Sequence, residues 1–380
     1  MGSGTDRSVL DSVNNNTKQT KEVNTRMKNI NLKKTFALVL SAAMVVTTIT
    51  GFGSARAEAA DETRTITDMA GVEVTIPAEV DTYVESWFAH NAVDVMLDDS
   101  KGMLVTCANP DSYKWMDLVC PNMEDTLYAE FSADMGLEEI VALAPDVVFG
   151  SNENYREMFD KVNIPYINVM FSNLEEMKKS IALTAEVLGD DSPAIAEEYI
   201  AYLDEQVANI TAVAETIADE DKATILHGDA LANYTCDGGN TIIDEWITDV
   251  GAVNVAAEGG IMGNKQTVTI EEFLIWNPEF IISGAGSAEV ETILNDETWA
   301  DIQAVQDGNV YVNPKGVFTW DRYGVELALQ LQWTAQLVYP DLFEDLDIIK
   351  ATQEFYKNFF DYDLTEDQVK LILARENPAE

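Results

Sequence analysis

The chain is short of cations, histidine and cysteine. Its 380 residues hold 23 Lys and Arg against 67 Asp and Glu, a net charge of −44. So acidic a chain repels nucleic acid and anionic membrane surfaces, which excludes partners held by phosphate contacts. The three cysteines, Cys107, Cys120 and Cys236, lack any CxxC spacing and are too few for a disulfide scaffold. Cys107 and Cys120 can pair across one loop in an oxidising compartment, or all three can remain buried thiols. There are two histidines, His90 and His227, and neither an HExxH nor a G-x-S-x-G motif. An enzyme reading therefore reduces to an extracellular metal-dependent hydrolase, with a histidine, a carboxylate and zinc activating water. Phe36 to Ile49 is an apolar run, too short for an ordinary membrane span.

What is present is a large apolar fraction, 47%, over a length that suits two domains. Lys28, Lys33 and Lys34 precede the apolar run, and Ala55-Arg56-Ala57 and Ala57-Glu58-Ala59 follow it with signal-peptidase spacing. Residues 1–59 read as an N-terminal extension and a cleaved signal peptide, which implies export to the periplasm or cell surface. Without them the chain has 15 basic and 63 acidic residues, a net charge of −48.

Ser192 to Ala218 reads as one long helix. Ser192 caps it, Pro193 takes the first position, and Ile195, Tyr199, Leu203, Val207, Ile210, Val213 and Ile217 form one apolar stripe. On each side strands alternate with helices, the pattern of a parallel sheet covered on both faces. The phrase LEEIVALAPDVVFGS before the helix is matched by IEEFLIWNPEFIISG after it. These features predict an α/β protein of two Rossmann-like lobes bridged by one long helix, with a ligand cleft between them. The N-terminal lobe covers 60–191, the bridge 192–218, the C-terminal lobe 219–343 and a helical tail 344–380.

RTITDMAGVEVTIP, LEEIVALAPDVVFGS with IPYINV, NLEEMKKSIALTAEVLG, GGNTIIDEWITDVGAVNV, VTIEEFLIWNPEFIIS and WADIQAVQDGNVYV occur in that order between Thr63 and Phe343. In this the chain resembles the extracytoplasmic solute-binding proteins of ABC importers, of the iron-siderophore and cobalamin type. The resemblance implies a monomeric, non-enzymatic binder with no cofactor of its own. Its ligand would be a small-molecule metal chelate, a ferric siderophore before haem, a corrinoid or a metal oxyanion, handed to an ABC permease and ATPase complex. It also implies one docking carboxylate on each lobe, at Asp94 and Glu245. Ile49-Thr50-Gly51 resembles a lipidation box, but Phe52 stands where the cysteine belongs, so a lipid anchor is not expected.

Ligands of open α/β sheets sit at the carboxyl ends of the strands. The candidate ligand-binding residues there are Trp87, His90, Tyr113, Lys114, Trp115, Asn152 and Tyr155 in the first lobe. In the second they are His227, Asp229, Lys265, Lys315, Trp320, Arg322 and Tyr323. His90 and His227 each follow the first core strand of a lobe and suit iron held in a chelate or haem. Lys114, Lys265, Lys315 and Arg322 suit an anionic chelate against the general field. The aromatic residues, Phe171 and Tyr234 included, suit a flat ligand. A surface adhesin or sensor of the same fold is the remaining alternative.

Overall fold

The computed structural model describes residues 62–131 and 137–379. The signal-peptide expectation and the Phe52 position lie outside the described residues. β1 (Thr63–Thr67) and β2 (Glu73–Pro77) form an antiparallel hairpin with Thr65 opposite Thr75. Gly71, at φ +78°, makes its turn, and Ile66, Val74 and Ile76 face the core.

The N-terminal lobe is a parallel sheet of β3 (Tyr83–Glu85), β4 (Met103–Thr106), β5 (Leu127–Tyr128), β6 (Val147–Gly150) and β7 (Tyr166–Asn168), in the order β5-β4-β3-β6-β7. Val84, Val147, Val148 and Phe149 are fully buried, as continuous apolar strands covered on both faces should be. Around it lie α1 (Asn91–Asp98), α2 (Lys114–Val119), α3 (Glu138–Leu143), α4 (Arg156–Asp160) and α5 (Leu174–Leu188). Asn173 caps α5 by accepting from Glu176 N at 2.8 Å.

The bridge, α6, runs from Ser192 to Ala214, a length of about 35 Å at helical rise. Ala196, Tyr199, Leu203 and Ile210 are its buried stripe. Two details differ from the sequence reading. Asp191 holds the N-cap position, because the Ser192 hydroxyl donates to Leu97 O at 3.2 Å instead of capping. The helix also ends four residues early, where Thr216 N and Ile217 N bond to carbonyls three residues back and Ala218 turns extended.

The C-terminal lobe repeats the plan. β8 (Thr224–Gly228), β10 (Val253–Asn254), β12 (Phe280–Ser283) and β13 (Val310–Val312) form a parallel sheet ordered β10-β8-β12-β13, beside a small pair of β9 (Thr235–Cys236) and β11 (Gln266–Thr267). It carries α7 (Ile242–Asp249), α8 (Val255–Glu258), α9 (Ile270–Trp276), α10 (Ser287–Asn295) and α11 (Gln303–Asp307). The matched phrases are matched structures. α3 ends at Ala144 and α9 at Asn277, both left-handed, and each leads into the strand beside the lobe's first core strand.

α12 (Leu327–Val338) packs along α6. The tail helices α13 (Ile348–Phe360) and α14 (Glu366–Leu373) enter the same core, with Phe355 and Phe359 edge-on to Tyr199 at 6.4 and 5.5 Å. Cys107 and Cys120 do not pair: all three cysteines are free, and Cys120 Sγ contacts Asp99 O. No helix among the described residues is long and apolar enough to cross a membrane.

Candidate functional site

β8 delivers His227 to its carboxyl end, and Asp229 follows one residue past the strand. His227 is fully buried, with Nδ1 3.0 Å from Asp237 Oδ2. Its Nε2 lies 3.3 Å from Asp321 Oδ2, an ion-pair distance without hydrogen-bond alignment. Burial alone would lower the imidazole pKa, but the Asp237 and Asp321 carboxylates outweigh it and raise it. Arg322 joins the group, donating from Nε to Asp321 at 2.7 Å and from Nη2 to Asp237 at 3.0 Å. Burial would raise the two carboxyls; Arg322 and His227 instead hold Asp321, and the same pair holds Asp237, below the usual range.

Asp229 closes the network. Its Oδ2 lies 3.0 Å from Lys265 Nζ and 3.5 Å from Arg322 Nη1. Its side chain is 26% exposed, where those of Asp237 and Asp321 are 0% and 1%. Arg322, Lys265 and the His227 imidazole thus face three carboxylates, and Asp229 is the carboxylate on the open side. Gly284, after β12, makes the approach possible: a side chain there would come within 3.2 Å of Asp229 and 3.3 Å of Asp321.

The loop carrying Arg322 is held from below by Glu326. This buried carboxylate accepts from Val317 N at 3.2 Å, Phe318 N at 2.6 Å and Trp320 Nε1 at 3.0 Å, and from the Tyr356 hydroxyl. Burial pushes its pKa up to about 7, and these donors keep it from rising further. Trp246 on α7 adds a bond from Nε1 to Asp321 O at 3.0 Å.

Aromatic rings from both lobes meet over this network. Trp87 lies 5.4 Å and Phe171 5.7 Å from Tyr323, while Phe318 lies 5.7 Å from Phe88 and 5.9 Å from Tyr113. These are contact distances for aromatic pairs, so the space between the rings is small. Tyr323 holds its place at φ +56° and accepts from Asn264 Nδ2 at 3.0 Å. Lys315 spans the lobes as well, donating to Ser112 O at 2.7 Å with Nζ 4.6 Å above the Tyr113 ring. Burial and the Arg375 charge lower its pKa to about 8.

The structure brings together Trp87, Tyr113, His227, Asp229, Lys265, Lys315, Arg322 and Tyr323. Other candidates fall elsewhere. His90 does not face His227 across the cleft; it is buried beneath Trp87 with Nε2 on Thr184 Oγ1 at 2.8 Å. Both His227 nitrogens face carboxylates, so neither imidazole is open to a chelated metal in the cleft. Trp115 and Trp320 are core side chains, donating to Glu376 O and Glu326. Lys114 is half-exposed and paired with Asp111. Asn152 and Tyr155 line a separate surface depression with Met158 and Lys161. Tyr234 packs near Phe273 and Trp299 in the C-terminal core. Asp94 is fully buried and so cannot be a surface docking carboxylate. Glu245 is half-buried and accepts from Leu174 N at 2.8 Å, tying α7 to the start of α5. Sequence reasoning passed over Phe88, Asp237, Phe318, Asp321 and Glu326. The adjacent Asp321-Arg322 pair was the one local sign of an ion cluster.

A model of the periplasmic binding protein family matches residues 121–316. The molybdate-binding protein MolA of Haemophilus influenzae is 29% identical over 329 residues, covering 78% of this chain and 91% of MolA. Its molybdate-bound structure superposes with a TM-score of 0.71 at 24% identity, over 80% of this chain and 99% of that one. A periplasmic solute-binding protein from Veillonella parvula superposes with a TM-score of 0.71 at 25% identity, over 82% and 97%. Helicobacter pylori CeuE with bound Ni(II) gives 0.67 at 20% identity, over 82% and 99%.

Proposed function

We propose a cargo for this chain from the premise that it belongs to the periplasmic binding protein family. Members serve transport, and the chain is the solute-binding component of an ABC importer, acting outside the cytoplasm and delivering its ligand to a permease. Its ligand is a small metal-containing oxyanion of the molybdate class, bound at the strand ends of the C-terminal lobe under the aromatic rings.

The observation that carries this reading is the Asp229 carboxylate between Lys265 and Arg322. A carboxylate held by two cations at the open side of a buried ion network occupies the position an anionic ligand would take. An incoming oxyanion displaces Asp229 from the two cations and keeps the remaining charges paired. The ring contacts favour a compact ligand, since a haem or a siderophore must part them. The MolA relative binds molybdate, in line with this choice.

The aromatic belt supports a second reading, a ferric siderophore, haem or corrinoid stacked between Trp87, Phe318 and Tyr323 after a wider opening. Isothermal titration of residues 60–380 with molybdate, tungstate, sulfate, ferric catecholate, ferric citrate, haem and cobalamin separates the two. Binding of molybdate and tungstate alone is the expected result, with Asp229→Asn tightening it about tenfold, which corresponds to about 1.4 kcal/mol. Binding of only the flat chelates would sink the oxyanion reading in favour of the second. A null result with every ligand would sink both.

A further inference from the structure

We infer that Glu85, His90 and Asp94 form a buried site for one divalent transition-metal cation in the N-terminal lobe, separate from the cleft. Glu85 ends β3, His90 immediately precedes α1, and Asp94 lies one turn along it. All three side chains are fully buried, and one ligand atom from each lies within 4.8 Å of the others.

Their hydrogen bonds leave only acceptors pointing into this space. The Thr184 hydroxyl donates to Ser180 O at 3.0 Å, so in its 2.8 Å contact with His90 it must accept, and Nε2 carries the imidazole proton. Nδ1 is then an unprotonated nitrogen, and it has no partner. Glu85 Oε1 accepts from Trp87 N at 2.6 Å, while Oε2 has no partner. Neither Asp94 oxygen has one either. Buried polar atoms are ordinarily satisfied, and here the contact between Glu85 and Asp94 is a carboxyl–carboxyl pair that needs a proton or a cation between its oxygens.

Charge points the same way. No lysine or arginine pairs with Glu85 or Asp94 among the described residues, and their other ionisable neighbours, Tyr83, Asp98, Cys107 and Tyr166, bring no positive charge. With both carboxyls ionised the site needs a counter-charge of two, which one divalent cation supplies. One imidazole nitrogen with two carboxylates is a borderline donor set, suited to Zn²⁺, Mn²⁺ or Fe²⁺. Full burial makes the metal structural. It fixes the turn from Glu85 to Asp94, which presents Trp87, stacked on His90 at 5.9 Å, and Phe88 to the cleft.

The test is to refold residues 60–380 from chelator-treated chain with equimolar Zn²⁺, Mn²⁺ or Co²⁺ and measure metal after gel filtration. One metal per chain is expected, with ligand-field absorption bands for bound Co²⁺ and a thermal midpoint several degrees above that of the metal-free protein. Asp94→Asn and His90→Gln should each abolish stoichiometric binding and the metal-dependent rise. Wild-type protein that takes up none of the three metals overturns the proposal, and means that Glu85 and Asp94 are neutralised by protons instead. Metal retained at one per chain in both variants also overturns it, by assigning the binding to surface carboxylates. Oxyanion titration of the same samples reports on the cleft separately.

Discussion

At the scale of the residue, His227 makes the ion network sensitive to pH on both sides. Its pKa is raised by Asp237 and Asp321, so the stability it contributes is complete below the unfolded value near 6.5 and lost as pH rises through the folded one. Asp237 and Asp321 are depressed, so their contribution is present above about 3.8 and lost as pH falls through their folded values. The network is therefore strongest between these limits. Urea unfolding across pH 3 to 9 should show a plateau in that window and a decline on each side. His227→Gln should remove the alkaline decline and cost about 3–5 kcal/mol at pH 6, because it leaves Asp237 and Asp321 less well compensated. An unchanged alkaline limb in the variant would show that other groups set it. The sequence made His227 and Arg322 visible as rare residue types at strand ends. Their carboxylate partners were hidden among 67 acidic residues, since nothing local distinguishes a paired Asp from a solvated one.

At the scale of the element, α6 connects the lobes through one continuous core. Leu203, 1% exposed, sits in the middle of its stripe. Leu203→Ala should cost about 2–5 kcal/mol in denaturant unfolding while leaving a single transition, because the lobes share the core it damages. Two separate transitions would mean that the lobes are energetically independent. Long periodic segments such as α6, and strands bounded by proline or glycine, were legible from pattern alone. Segments with no period were not. Residues 114–119 form α2, a helix of six residues, too short to display a repeat. Residues 313–323 show no period either, yet Val317, Phe318 and Trp320 are buried there. Their cover is nonlocal: Glu326 and Tyr356 hold them, and Lys315 N bonds to Ile372 O on α14.

At the scale of the whole molecule, the tail ties both lobes together behind the Arg322 loop. Arg375 donates to Asn313 O at 3.1 Å, Trp115 donates to Glu376 O at 2.9 Å, and Tyr356 reaches Glu326 beneath the Arg322 loop. The tail and both lobes thus meet behind the Arg322 loop. Removing residues 344–380 should expose Tyr199 and Trp320 and yield a protein that lacks the near-ultraviolet dichroism of packed aromatics. A soluble truncated chain with an unchanged near-ultraviolet spectrum would contradict that role.

The rigidity of α6 bears finally on traffic at the membrane. A helix that packs against both lobes along its length should limit hinge motion, so filled and vacant copies are expected to present nearly the same outer face. A permease that recognised that face would then sort the two poorly by shape, and vacant copies should compete with filled ones for its docking surface. Uptake then tracks the filled fraction of the population and falls when the binding protein is made in excess over its cargo.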